Sequence, residues 1–119
     1  MYKHILIATD GSELAGRALA HGLALAKEVK ASVTVVTVTQ LWSAFDMAHK
    51  AREGNRDPLN QFEEIAAASA KAILAAAAEK AKIASVAFDL VHVPDQHPAE
   101  GIIATAEKKG CDLIVMASH

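Results

Sequence analysis

The sequence predicts an α/β domain built on a parallel sheet with helices on both faces, and three observations predict it. Strand-like and helix-like segments alternate in the order β-α-β-α-β-α-β, which argues for parallel strands joined by right-handed crossovers. The first and last strand-like runs, Ile5-Leu6-Ile7 and Leu113-Ile114-Val115-Met116, are continuously apolar, as strands covered on both faces require. The chain has 119 residues, enough for one core and too few for two.

Each element has its own local reason. Residues 3–9 read as a strand that Asp10-Gly11-Ser12 breaks. A helix follows over 12–29, with Leu14, Ala18, Leu25 and Val29 expected as its buried stripe. Asp10 with Glu13 has capping-box spacing, and Ser12 is an alternative cap. Residues 32–39 carry Val33, Val35, Val36 and Val38, whose branching favours a strand. Residues 41–57 are irregular, with a short helix expected at 44–52. Pro58 suits the first turn of a long helix over 58–84, and its Ala-rich stretch is slim enough to lie close on a sheet. Residues 86–93 alternate, and the charged Asp89 marks an edge strand. A last helix over 98–109 ends at Gly110, a suitable left-handed cap. Residues 111–117 form the fourth strand.

The most apolar strands, one and four, belong inside and the third at an edge. That gives the order 3-2-1-4, with a switch point between strands one and four, beyond which ligands bind in open α/β sheets. In that order the fourth strand is itself an edge, and a flat apolar edge invites pairing. A further strand, from this chain or another, is expected beside it.

Composition narrows the function. Hydrophobic residues make up 52% and charged residues 22%, with a formal net charge of −2, so neither disorder nor nucleic-acid binding is expected. The single Cys111 forbids an internal disulfide and fits a reducing, cytoplasmic setting. No window approaches the ~20 apolar residues of a membrane span. The six histidines lack any metal-ligand spacing, and Cys111 reads as an inert core thiol. Neither GxxxxGK[ST] nor GxGxxG is present, which argues against a P-loop enzyme and a dinucleotide fold. A receiver domain would need an acidic pair after strand one, where only Asp10 stands. A flavodoxin would need a Ser/Thr/Gly phosphate loop there, and Asp10-Gly11-Ser12-Glu13 fits poorly. No nucleophile–base pair points to hydrolysis.

Four stretches in order resemble the universal stress protein family. They are His4-Ile5-Leu6-Ile7-Ala8-Thr9-Asp10-Gly11-Ser12, Val35-Val36-Thr37-Val38, His97-Pro98-Ala99-Glu100-Gly101-Ile102-Ile103 and Cys111-Asp112-Leu113-Ile114-Val115-Met116. The resemblance implies a three-layer domain of the adenine nucleotide alpha hydrolase-like type, normally with five parallel strands, often dimeric and in many members ATP-binding. It places Ala8, Thr9 and Asp10 near the adenosine, Val38 on the adenine, and Met116 and Ala117 along the same crevice. Ala117 stands where the family usually has glycine. The family's ATP binders continue into a loop of the form G-x-x-G-x9-G-[ST] whose amides hold the phosphates. Residues 1–119 therefore read as one stress-family domain lacking that loop and the fifth strand.

Two functions follow from the resemblance. One is a non-catalytic domain that binds ATP or another adenine nucleotide, with magnesium only alongside ATP, and signals through conformation or homodimer assembly. The other is a dimeric interaction module that binds no nucleotide and pairs through the strand-four edge. Each site residue also has a plain role: Asp10 as a cap, Thr9 as a strand end, Val38 and Met116 as core lining.

Overall fold

A computed structural model describes residues 2–39, 58–94 and 97–117. The short helix expected at 44–52 lies outside the described residues. The elements are β1 (His4–Ala8), α1 (Glu13–Val29), β2 (Ser32–Val38), α2 (Pro58–Ile83), β3 (Phe88–Val93), α3 (Pro98–Lys109) and β4 (Leu113–Val115). The four strands form one parallel sheet in the order β3-β2-β1-β4. The order is the expected 3-2-1-4, but β1 and β2 are the central strands, and β4, expected inside from its apolar run, is at an edge of the described sheet.

Strand periodicity splits the core in two, because alternate side chains leave opposite faces of a sheet. Ile5, Ile7, Val33 and Val35 face α1 and α2, and pack with Leu19, Leu23, Leu74 and Ala77. Leu6, Ala8 and Val36 face α3, and pack with Ile102 and Ala106. Fully burying a side chain such as Leu6 or Ile7 contributes about 1.5–3 kcal/mol. Among the described residues, two helices on one face and one on the other give the three layers.

The α1 stripe differs from the sequence expectation. The buried positions are Ala15, Leu19, Gly22, Leu23 and Ala26, whereas Leu14 is exposed and Ala18, Leu25 and Val29 are half-buried. The helix is turned by about one residue so that its small side chains meet the sheet. A Cβ added at Gly22 would stand 2.6 Å from Cδ1 of Ile7, so this close approach needs a residue without one.

The helix ends are closed locally. Ser12, not Asp10, caps α1: its hydroxyl accepts from the Ala15 amide at 3.1 Å, while Asp10 Oδ1 accepts from the Ser12 amide at 2.9 Å. Gly110 ends α3 in the left-handed conformation at φ 67°, with its amide directed to the Ala106 and Glu107 carbonyls.

β4 is shorter than expected. The Cys111 amide donates to the Ala106 carbonyl and so belongs to the helix exit. The Asp112 carboxylate accepts from the backbone amides of Lys3 and His4 at 2.9 and 3.2 Å. These two amides hold the Asp112 carboxyl below its usual pKa. Among the described strands β4 pairs only with β1, and Ile114 and Met116 are 39% and 54% exposed.

Candidate functional site

Parallel strands deliver all their C-terminal ends to one side of the sheet, and the order reverses between β1 and β4. A cavity of about 230 Å³ opens there. β1 and the turn after it supply Ala8, Thr9 and Asp10, β2 supplies Val36 and Val38, and the chain leaving β4 supplies Met116 and Ala117. Ala15 of α1 and Pro98 and Ile102 of α3 complete the wall. All six residues singled out in the sequence thus border one crevice.

The crevice has an apolar floor and a polar lip. Val36 is fully buried, and Ala8, Ala15 and Ile102 are nearly so. At the lip, Thr9 fixes the turn: its amide donates to the Val36 carbonyl at 2.9 Å, and its hydroxyl accepts from the Gly11 amide at 3.2 Å. Asp10 is exposed beside it. Its carboxyl is the one ionisable group among the described lining residues, which include no Lys, Arg or His. An apolar cleft with one or two placed polar groups is how small-molecule sites are built. The volume lies below the ~300–1,000 Å³ of pockets for drug-sized ligands.

Sequence reasoning did not single out Ala15, Val36, Pro98 or Ile102. Three of these were within reach. Val36 lies on the same strand face as Val38 by period two. Pro98 and Ile102 are four residues apart at the start of α3, on one helical face. What the sequence did not reveal is that α3 crosses over the mouth of the β1–β2 pair.

Among the described residues, no group of three or more His, Cys, Asp or Glu could hold a metal ion. No described helix is long and apolar enough to cross a membrane.

Sheet, crossover and crevice together define an open doubly wound α/β protein with a ligand-sized cleft at its switch point. Residues 1–119 match the model of the Universal stress protein family, and the chain belongs to that family. A universal stress protein family structure from Burkholderia pseudomallei is 27% identical with a TM-score of 0.80, over 99% of this chain and 83% of that one. The structure of the hypothetical protein MJ0577 is also 27% identical, with a TM-score of 0.77, over 100% of this chain and 76% of that one. A universal stress protein in complex with cAMP shares the fold at 21% identity and a TM-score of 0.68, over 97% and 75% of the two chains. No curated protein matches the chain significantly.

Proposed function

We propose that this stress-family domain binds an adenine nucleotide in the switch-point crevice, chiefly through its nucleoside part, and acts by conformation or assembly rather than catalysis. The observation that carries the reading is the crevice itself: apolar side chains of two strands and α3 surround a base-sized space, with the Asp10 carboxylate at its lip. A flat apolar base gains from burial against Val36, Val38 and Ile102. A carboxylate accepts several hydrogen bonds at once, and ribose hydroxyls are donors of the right kind. The cAMP complex of a protein with the same fold makes an adenine nucleotide the ligand to test first.

The lining also bears on the phosphates. Among the described lining residues there is no cationic side chain for them, and the one ionisable group is the Asp10 carboxyl. ATP therefore keeps its phosphates toward solvent, where magnesium accompanies them, and adenosine binds this chain no more weakly than ATP. The described lining residues include no nucleophile–base pair for phosphoryl transfer. A cytoplasmic homodimer is the form in which we expect the domain to act.

Calorimetric titration with ATP and with adenosine tests the reading, with the crevice-filling variant Ile102→Trp as control. Both ligands should bind the parent chain and neither should bind the variant. Absence of heat with both ligands on the parent chain overturns the proposal.

A second reading rests on a different observation. The exposed Ile114 on β4, an edge among the described strands, and the exposed Met116 just after it fit a surface that takes up another strand, as in strand-addition complexes. The domain would then work as an interaction module, and light scattering showing a monomer at high concentration would remove that reading.

A further inference from the structure

Four side chains from four elements form one connected polar chain on the α3 face of the sheet, at the opposite end from the crevice. Thr34 of β2 stands at its centre and is 0% exposed. Its hydroxyl donates to Asp89 Oδ1 of β3 at 2.6 Å. Asp89 Oδ2 receives Lys109 Nζ, from the last turn of α3, at 2.9 Å. His4 Nε2, at the start of β1, lies 2.6 Å from the same Thr34 hydroxyl.

The direction of each bond follows from proton counting. A hydroxyl has one proton, and Thr34 gives it to the carboxylate. His4 Nε2 must therefore be the donor to the Thr34 oxygen. The chain has one polarity, from His4 N–H through Thr34 O–H to the Asp89 carboxylate. Nε2 keeps its proton in both charge states of the imidazole, so a second proton on His4 enters at Nδ1.

We propose that His4, Thr34, Asp89 and Lys109 form a directional latch that holds the last turn of α3 on the sheet, and that proton uptake by Asp89 opens it whereas proton uptake by His4 leaves it closed. A protonated His4 still donates from Nε2 and adds attraction for the Asp89 carboxylate. A protonated Asp89 loses its charge attraction for Lys109 and its claim on the Thr34 proton.

The other titratable groups facing the latch do not reverse this. The Cys111 thiol is pushed up by burial and by the nearby Asp89 and Asp112 charges, and so stays neutral. The Asp112 carboxylate is occupied by the Lys3 and His4 amides. For Asp89 the largest single influence, burial, raises the pKa. The Thr34 and Lys109 hydrogen bonds and the Lys109 charge outweigh it and leave the carboxyl below its usual range. A depressed carboxyl contributes stability that is present above its unfolded pKa and is lost as pH falls through its folded pKa. The latch thus stays closed through the neutral range, where a solitary histidine would titrate.

The latch also bears on the crevice, a consequence that rests on the nucleotide reading. α3 places Lys109 in the latch at one end and Pro98 and Ile102 in the crevice wall at the other. Twelve helical residues span about 18 Å, so fixing one end of the helix orients the other.

The test is made without nucleotide, so it stands whether or not the crevice binds one. Imidazole ¹H–¹⁵N spectra of the labelled chain report the His4 tautomer against pH, and amide exchange reports protection of the last turn of α3. The expected result is a neutral His4 protonated at Nε2, with α3 protection unchanged while His4 titrates and reduced only in acid. Thr34→Val, nearly isosteric, should abolish the tautomer preference and lower α3 protection about tenfold. Asp89→Asn, on a partly exposed side chain, should lower that protection at neutral pH. An Nδ1-protonated neutral His4, or α3 protection lost in step with His4 titration, overturns the proposal. Nucleotide binding then remains to be judged by calorimetry alone.

Discussion

At the N-terminal ends of the strands, polar side chains reach into the sheet and find partners. At the C-terminal ends, mostly apolar side chains border unfilled space. Thr34 is as deeply buried as Val36 two residues along the same strand, yet Thr34 is held by His4 and Asp89, whereas Val36 floors a cavity. The contrast separates two uses of one sheet face. Satisfied buried polar groups fix geometry, because leaving one unpaired costs about 1–3 kcal/mol. An apolar cavity with a carboxyl at its lip is the arrangement on which the proposed ligand site rests. Among the described residues no buried side-chain polar atom lacks a partner, so the structural end is closed in this sense.

The largest expected effect comes from removing what the two ends share. Leu6 is 0% exposed and lies between them in the α3-side cluster. Leu6→Ala should destabilise the fold by about 2–5 kcal/mol in denaturant titration and should weaken both latch and crevice. Thr34→Val touches the latch alone and should cost about 1–3 kcal/mol. A cost below a few tenths would mean that the latch bonds contribute nothing net.

The two helix caps sharpen the comparison at lower energy. Ser12→Ala, at the crevice end, removes a side-chain cap and should cost about 1 kcal/mol. Gly110→Ala, at the latch end, should cost a similar ~1 kcal/mol through its positive φ, since a Cβ there meets no atom within 4 Å. Only the second should reduce protection of the last turn of α3. The smallest effect is expected at the solvent-exposed Arg17–Glu13 pair, at 3.2 Å. Arg17→Ala should change stability by no more than about 0.5 kcal/mol, and a larger change would show that surface charge matters more here than burial.

Much of this was legible in the residues. The apolar run of β1 and the charge at Asp89 pointed rightly to a central and an edge strand, whereas the equally apolar run of β4 did not, since β4 lies at an edge of the described sheet. The family stretches then drew Ala8, Thr9, Asp10, Val38, Met116 and Ala117 to one end. The α1 stripe was not legible, because a helix rich in alanine presents apolar residues on several faces and periodicity alone cannot choose among them. Gly22, which the sequence reading did not single out, lies where an added Cβ would stand 2.6 Å from Cδ1 of Ile7. The partners of Asp89 were hidden for another reason. Thr34, 55 positions away, and His4, 85 positions away, meet it only through sheet register, which local pattern does not specify. The α3 contribution to the crevice was hidden likewise, since it depends on where a crossover helix lands.

The most direct test of the central claim is to map adenosine onto the ¹⁵N-labelled chain by amide chemical shifts. The account predicts shifts concentrated at Ala8, Thr9, Asp10, Val38, Ile102, Met116 and Ala117, with Thr34, Asp89 and Lys109 little changed. Saturable shifts centred elsewhere, or none at all, would contradict it.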